Sequence, residues 1–301
     1  MKINAPGVAR HWALAIHGGA GSAPKDLPAP EQVKIRTALK DALGGGSAIL
    51  AAGGSGLDAV QASVRILEDC AVLNAGRGAV LNHEGFAELD ACLMDGNGRR
   101  AGAVAALRHI ANPIDLARLI LDHGKHVLLA GPGAEQFALE QGLTLIPAAD
   151  FITERRRRQL KRALAATTGT VGAVACDSHG NLAAATSTGG LTNKHYGRVG
   201  DSPLVGAGTL AENGVCAISA TGDGEYFIRF TVASEVRARL KYQGKDLESA
   251  AREVIVELKE LGGVGGLIAV DAAGHITMPY SSAAMPRGEV SLGHPPVIHD
   301  V

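Results

Sequence analysis

The stretch that decides the fold is GTVGAVACDSHGNLAAATSTGG, residues 169–190. It contains two runs of apolar and small residues, separated by the polar, glycine-containing segment DSHGN. Such a pattern predicts two antiparallel strands joined by a tight turn. Two other segments follow the same plan, LMDGNGRRAGAVAAL at 93–107 and IAVDAAGHITM at 268–278, and they too are predicted to be hairpins.

Helical patterns lie in other parts of the chain. Apolar residues recur at helical spacing in 31–43, 113–123 and 246–258. Ser55 followed by Asp58 resembles a capping box, at the start of a helix expected to end near position 69. Because helices and hairpin-linked strands are segregated, the sequence predicts an α+β architecture in which helices cover antiparallel sheets, and the strand count is consistent with two stacked sheets.

Composition restricts the classes of function. With 301 residues, 46% hydrophobic and 20% charged, the chain can bury a sizeable core as one large domain or two. A net charge of −1 gives no field that would attract nucleic acid or an anionic membrane, so a small-molecule substrate fits better. Forty glycines and 3% aromatic residues indicate layers packed closely through small side chains.

Cysteine and histidine patterns disfavour metal and disulfide frameworks. The four cysteines show no CxxC spacing, which favours free thiols in a reducing compartment. No HExxH motif occurs, so a catalytic metal is not expected. The apolar run near the N-terminus is too short for a secretion signal or a membrane span, and we expect a cytoplasmic location.

A linker is predicted between 143 and 169, where the periodic pattern weakens. The segment ERRRRQLKR at 154–162 adds a basic run there. A basic run could bind an acidic partner, but a flexible, solvated connector explains it with fewer assumptions.

Thr170 follows this linker and begins the first strand of the 169–190 hairpin. A threonine hydroxyl is a poor nucleophile at neutral pH without a base beside it, and a free α-amine on the same residue can be that base. Gly169 has the freedom to hold a strained peptide bond, so Thr170 could attack the Gly169 carbonyl and become N-terminal once water cleaves the ester. Alone, this pattern is weak evidence, because threonine is common at strand starts.

Two polar clusters downstream could bind an amino acid and its reaction intermediate. Arg198 can hold an α-carboxylate by two hydrogen bonds, and Asp201 can accept from an α-ammonium; a solvent-exposed loop ion pair is the alternative. Thr221 and Gly222 follow a strand-like segment, so a hydroxyl and a bare N–H could form an oxyanion hole.

Taken together, the motifs resemble those of the plant-type L-asparaginase and isoaspartyl peptidase family, in the family's order and over nearly the whole chain. The motifs are HGGAG at 17–21, GGSGLDAV at 53–60, LEDCAVLNAGRGAV at 67–80, ELDACLMDG at 88–96, GTVGAVACD at 169–177, TSTGGLTNK at 186–194, GRVGDSPLVGAG at 197–208 and TGDGE at 221–225.

This resemblance implies a role for each candidate residue. Thr170 would be the nucleophile, Thr188 would support its amine and hydroxyl, Thr221 with Gly222 would form the oxyanion hole, and Asn74 would lie near the nucleophile. Substrate would be bound by Arg198, Asp201, Gly222 and Gly224. A structural sodium ion would be held by backbone carbonyls near Leu67, Glu68, Cys70 and Leu73, and no other cofactor is implied.

The resemblance also implies a four-layer αββα sandwich, the fold of N-terminal-nucleophile hydrolases, over residues 1–301. The chain would cleave itself into 1–169 and 170–301, and two cleaved protomers would form a dimer. The implied reactions are hydrolysis of L-asparagine to aspartate and ammonia, and cleavage of β-aspartyl dipeptides.

Other interpretations remain open at this point. A relative that stays uncleaved could merely bind aspartyl ligands. GAGTLA at 206–211 fits a dinucleotide-binding pattern, although Pro203 and Gly214 argue against the helix that it requires. The related glycosylasparaginases usually have Thr-Ile-Gly after the cleavage point, whereas this chain has Thr-Val-Gly. The segment PYSSAAMPR at 279–287 departs from the family pattern, which leaves one wall of the site or the substrate range undetermined.

Overall fold

The computed structural model describes residues 11–21, 27–162 and 169–300. The strands are β1 (Ala13–His17), β2 (Leu89–Asp95), β3 (Arg100–Leu107), β4 (Leu128–Ala130), β5 (Val171–Cys176), β6 (Leu182–Thr188), β7 (Thr209–Glu212), β8 (Cys216–Gly222), β9 (Gly265–Asp271), β10 (Ile276–Thr277), β11 (Arg287–Ser291) and β12 (His294–His299). The α-helices are α1 (Ala29–Ala51), α2 (Gly56–Glu68), α3 (Pro113–His123), α4 (Gly131–Glu140), α5 (Glu154–Lys161), α6 (Gly224–Phe230), α7 (Val232–Gln243) and α8 (Leu247–Glu260).

The strands form two sheets. The larger has the order β12-β11-β1-β5-β6-β2-β3-β4, and the smaller has the order β10-β9-β8-β7. All three predicted hairpins are confirmed as antiparallel pairs: β2–β3, β5–β6 and β9–β10. Among the strands of the described ranges, only β4, at the edge of the larger sheet, departs from the predicted antiparallel pattern, because it pairs parallel with β3.

Four layers result from the packing of helices on these sheets. Helices α1 to α3 pack on the outer face of the larger sheet, and α6 to α8 pack on the smaller one. The inner faces of the two sheets meet in a third apolar core that consists largely of alanine and other small or medium side chains. The predicted αββα sandwich is confirmed, and the small side chains indicated by composition lie where two sheets must approach closely.

Helix α1 is longer than predicted, since it continues past position 43 to Ala51. A side chain on Gly46 would put its Cβ 2.3 Å from the Ser63 hydroxyl and 2.7 Å from the Leu14 side chain. The glycine is therefore required by the close crossing of α1 with α2 and β1. Tertiary packing overrides the low helix propensity of glycine at this position.

The predicted solvated linker is wrong for the part of the 143–169 segment that the structure describes. The basic run forms α5, and Thr153 caps the helix by accepting from the backbone N–H of Arg156. Phe151 and Arg156 are buried. Residues 163–168 of the predicted linker lie outside the described residues.

Other expectations can be compared directly with the structure. The four cysteines are free, as predicted. The 206–211 segment leads into strand β7 instead of a helix, so it lacks the geometry of a dinucleotide-binding turn. In the described ranges, no helix has both the length and the apolar character that crossing a membrane requires.

Candidate active site

The Gly169–Thr170 peptide bond lies immediately before β5. Pairing of β5 with β6 sets Val171 opposite Ser187, and this register brings Thr170 beside Thr188 at the end of β6. Both threonines are buried, and the Thr170 hydroxyl donates to the Thr188 hydroxyl at 3.2 Å. The hairpin therefore holds the two hydroxyls together.

The Gly169 carbonyl oxygen accepts two hydrogen bonds. One comes from the Thr188 hydroxyl at 2.8 Å and the other from the Asn74 side-chain amide at 2.8 Å. Thr188 also accepts from the Gly190 backbone N–H at 2.9 Å, so its single proton is directed at Gly169 and its lone pairs face Thr170 and Gly190. Two donors on one carbonyl polarise it toward nucleophilic attack.

Asn74 is fixed on both ends of its amide. Its nitrogen also donates to the Gly190 carbonyl at 2.7 Å, and its oxygen accepts from the Val80 N–H at 2.8 Å. The residue is 7% exposed, so each of these bonds is shielded from competing water. The sequence placed Asn74 near the nucleophile only through the family resemblance, and the structure places it against the Gly169 carbonyl.

The HGGAG segment packs on the backbone of the predicted cleavage point, Gly169 and Thr170. A Cβ on Gly19 would lie 2.9 Å from the Thr170 nitrogen and 3.1 Å from the Gly169 Cα, so only glycine fits. Gly19 also has a φ of +109°, which L side chains rarely adopt. Next to it, the Ala20 N–H donates to the Thr221 hydroxyl at 2.9 Å. Thr221 is thereby connected to Gly169 and Thr170 through two residues of this turn.

Gly222 ends β8 beside Thr221. A Cβ at Gly222 would lie 2.4 Å from the Val264 carbonyl oxygen and 2.6 Å from the Gly265 Cα. The chain at the end of β8 therefore tolerates no side chain, and Thr221 is fully buried. These contacts fix the positions of Thr221 and Gly222 at the end of the strand.

A second polar cluster lies near Gly190 and contains Arg198, Asp201 and Gly224. A Cβ on Gly224 would lie 2.8 Å from Arg198 Nη2 and 2.9 Å from Asp201 Oδ1, and one on Gly190 would lie 3.2 Å from Arg198 Nη1. Arg198 donates from Nε and Nη2 to the two carboxylate oxygens of Glu225, each at 2.9 Å. This is the two-point geometry with which a guanidinium binds any carboxylate. Glu225 as the partner of Arg198 was not predicted.

Asp201 is suited to receive a positively charged group. Burial raises the pKa of Asp201 to about 7, opposed by a backbone hydrogen bond and by the nearby Arg198 charge. Its Oδ2 atom is buried and has no hydrogen-bond partner in the described structure. An ammonium group of a bound ligand would satisfy that oxygen and stabilise the ionised carboxylate.

A buried chain of hydrogen bonds behind Thr170 was also missed by sequence reasoning. His17 Nδ1 lies 3.0 Å from the Thr170 carbonyl oxygen, and Nε2 lies 3.0 Å from the Ser219 hydroxyl. Ser219 in turn lies 2.7 Å from the Thr186 hydroxyl. Burial lowers the pKa of His17 to about 3, so the ring is neutral, and bonding to a carbonyl requires the proton on Nδ1. The HGGAG motif was the only signal for this residue.

The loop predicted to hold sodium is rich in converging carbonyl oxygens. A Cβ on Gly78 would lie 2.1 Å from the Leu73 oxygen and 2.7 Å from the Cys70 oxygen. A Cβ on Gly76 would lie 2.5 Å from the Glu68 oxygen. Neutral carbonyl oxygens are the donors that hard cations prefer, so these residues fit the chemistry of a sodium site.

The segment that departs from the family pattern supports the HGGAG turn. The Gly18 N–H donates to the Pro286 carbonyl at 2.7 Å, and Gly21 and Ala284 form an antiparallel bridge. Tyr280 stacks against Arg287, whose guanidinium carbon lies 4.9 Å from the ring centre. The altered residues at 279–287 therefore lie behind the turn that packs on Thr170.

Comparison with known proteins gives a consistent result. The chain matches the family described as Asparaginase over residues 10–167 and 162–294. The isoaspartyl peptidase of Salmonella typhimurium is 46% identical, with 94% of this chain and 96% of that protein aligned. The isoaspartyl peptidase of Escherichia coli is 44% identical, covering 94% of each chain. An isoaspartyl peptidase/L-asparaginase of Mus musculus is 42% identical, covering 93% of this chain and 88% of that protein.

Proposed function

Since the chain belongs to the asparaginase family of hydrolases, we propose that it hydrolyses L-asparagine and β-aspartyl dipeptides with Thr170 as an N-terminal nucleophile. The chain would first cut itself between Gly169 and Thr170. The observation that carries this proposal is the Gly169 carbonyl, which accepts from Thr188 and Asn74 while the Thr170 hydroxyl lies within hydrogen-bond distance of Thr188.

Self-cleavage follows from these contacts. The Thr170 oxygen attacks the Gly169 carbonyl carbon, its proton passes to the Thr188 hydroxyl, and the Thr188 proton passes to the Gly169 oxygen. The Asn74 amide stabilises the negative charge that develops on that oxygen. The C–N bond then breaks as the proton on the Gly169 oxygen passes to the Thr170 nitrogen, which leaves a free Thr170 amine and an ester between Gly169 and the Thr170 side chain. Water hydrolyses the ester, which gives a free Gly169 carboxylate and restores the Thr170 hydroxyl beside the free amine.

The freed amine is the base for the second reaction. It takes the proton of the Thr170 hydroxyl as that oxygen attacks the side-chain carbonyl of the substrate. Arg198 binds the α-carboxylate of the substrate and Asp201 binds its α-ammonium, while Thr221 and Gly222 stabilise the oxyanion. Ammonia or an amino acid leaves first, and water then releases aspartate from the acyl-enzyme.

Gly224 contributes to substrate binding through its lack of a side chain. A Cβ at this position would lie 2.8 Å from Arg198 Nη2 and 2.9 Å from Asp201 Oδ1, so any side chain here would crowd both charged groups. The bidentate pair of Arg198 with Glu225 preorganises the guanidinium for a carboxylate. A substrate carboxylate would replace Glu225 or share Arg198 with it.

The test is the behaviour of Thr170→Ala beside wild type and Thr170→Ser. We expect wild type to separate into fragments 1–169 and 170–301, with Thr170 as the new N-terminus by Edman sequencing. Thr170→Ala should remain one inactive chain, and Thr170→Ser should still cleave because it keeps a hydroxyl. A wild type that stays full-length while hydrolysing asparagine would refute the proposed nucleophile. A full-length, inactive wild type that binds aspartate would instead support the non-catalytic alternative.

Two further properties complete the proposal. A sodium ion would be held by the carbonyl oxygens of Leu67, Glu68, Cys70 and Leu73, and it would fix the loop without entering the chemistry. Replacing sodium with choline should then lower the melting temperature, whereas equal melting temperatures would exclude the ion.

Self-association as a dimer of cleaved protomers is tested by light scattering at known concentration, where a monomer mass would refute it.

A further inference from the structure

Arg156 is the most deeply buried charge of the basic run, and it contacts the loop that contains the predicted sodium ligand Leu73. It projects from α5 and is 4% exposed. Its Nε donates to the Gly78 carbonyl at 2.6 Å, and its Nη2 donates to the carbonyls of Val72 and Leu73, each at 3.1 Å. Three carbonyls of one loop, residues 72–78, therefore converge on one guanidinium.

The partners of this guanidinium are all neutral. Its fourth hydrogen bond goes from Nη1 to the Gln159 side-chain oxygen at 2.7 Å. Burial, together with a smaller contribution from the neighbouring Arg155 charge, lowers the pKa of Arg156 to about 9. Burying a charge on neutral acceptors carries a desolvation cost that a surface arginine avoids. This cost is offset by rigid, multi-point bonding, which is what a planar guanidinium provides.

The loop that Arg156 binds is the one that carries Asn74. Leu73, whose carbonyl accepts from Arg156, is the residue immediately before Asn74. Asn74 directs its amide at the Gly169 carbonyl at 2.8 Å. A shift of the 72–78 loop by a fraction of an ångström would lengthen the hydrogen bond from Asn74 to Gly169, because the short Asn74 side chain cannot extend to compensate.

We propose that Arg156 is a positioning residue for cleavage of the Gly169–Thr170 bond, because it fixes the 72–78 loop and thereby aims Asn74 at the scissile carbonyl. The inference rests on the proposed self-cleavage. It gives α5 a function in self-cleavage: this helix lies just upstream of the Gly169–Thr170 bond and, through Arg156, positions Asn74.

The experiment follows the rate of self-cleavage of freshly translated full-length chain, by the appearance of fragment 170–301. Arg156→Ala should slow cleavage by about tenfold or more, since three carbonyls lose their shared donor. Arg157→Ala is the matched control, because Arg157 is exposed on the same helix and carries the same charge. It should cleave at the wild-type rate.

Two readouts separate positioning from general loss of stability. If Arg156 acts through Asn74, the double variant Arg156→Ala/Asn74→Ala should cleave no more slowly than Asn74→Ala alone. Added methylguanidinium should speed Arg156→Ala and leave Asn74→Ala unchanged. Arg156→Lys keeps the charge but cannot reach three carbonyls, so it should also be slow, which keeps the test decisive if the alanine variant does not fold.

Each outcome bears on one proposal. Wild-type rates in Arg156→Ala and Arg156→Lys would overturn the positioning role while leaving self-cleavage intact. A double variant slowed by the product of the two single effects would also overturn it, because the two residues would then act independently. A wild type that never cleaves would instead refute the proposed function on which the inference rests.

Discussion

Asn74 gives the sharpest test of how the Gly169 carbonyl is activated. Asn74→Ala removes one of the two donors to that oxygen and leaves the Thr188 hydroxyl, which donates at 2.8 Å. Loss of one oxyanion donor typically costs about 2.7–4 kcal/mol of transition-state stabilisation, or about 10²–10³ in rate. We therefore expect self-cleavage to slow by about 10²–10³, not to stop.

The same substitution also weakens the fold by a calculable amount. The Val80 N–H donates to Asn74 Oδ1 at 2.8 Å, and it would be left buried without a partner. Such a loss costs about 1–3 kcal/mol of unfolding free energy. A slow rate could therefore reflect poor folding, and the control must lose stability without touching Gly169.

Asn82→Ala meets that requirement. Asn82 is fully buried, and its Oδ1 accepts from the backbone N–H groups of Glu84 and Phe86, each at 3.0 Å. We expect it to lose comparable stability in urea unfolding and to cleave at close to the wild-type rate. The assay is the time course of fragment formation at one temperature, with unfolding measured on Thr170→Ala backgrounds that cannot cleave. Cleavage of Asn74→Ala within about threefold of wild type, less than one kcal/mol, would refute the role of its amide.

Two further perturbations follow from the geometry. Gly19→Ala should block or strongly slow cleavage, because its Cβ would lie 2.9 Å from the Thr170 nitrogen and 3.1 Å from the Gly169 Cα. Gly53→Ala is the control, because Gly53 has a φ of +81° and a Cβ there would contact nothing. It introduces the same kind of backbone strain and should cleave normally. Equal rates for these two variants would contradict the argument. The pH dependence of kcat/KM should show an acid limb near pH 7, because Asp201 has its pKa raised to about 7 by burial and binds the substrate ammonium as a carboxylate. Activity should rise as pH increases through 7, the limb should flatten for an analogue without the α-amine, and a flat profile with asparagine between pH 5 and 7 would count against the assignment.

The elements that were predicted correctly are those with local signals. The three hairpins have turn residues between apolar runs, and α2 has a side-chain cap at Ser55 that was visible in the sequence. Strand β4 escaped prediction because it has three residues, two of them exposed, and no alternation. The full length of α1 could not be predicted either, since Gly46 has a use only when α2 is packed against it.

The candidate site divides in the same way. Thr170 was marked by its position at the boundary between a polar segment and a small-residue strand. Ser219 has no such signal, because an isolated serine within an apolar strand says nothing about a histidine some two hundred residues away. Arg156 was misread as a solvated charge, since the carbonyls that surround it come from a loop about eighty residues earlier in the chain.

The contacts also divide the site by reaction. Under the proposed mechanism, Thr188 and Asn74 donate to the Gly169 oxygen during self-cleavage. These two residues act before any substrate can be hydrolysed, so we expect their loss to appear first as slow or absent self-cleavage. Arg198 and Asp201 lie beyond Gly190 and do not bond to the Gly169 carbonyl in the described structure. Substitutions there should spare maturation and change KM, because those side chains bind only the substrate.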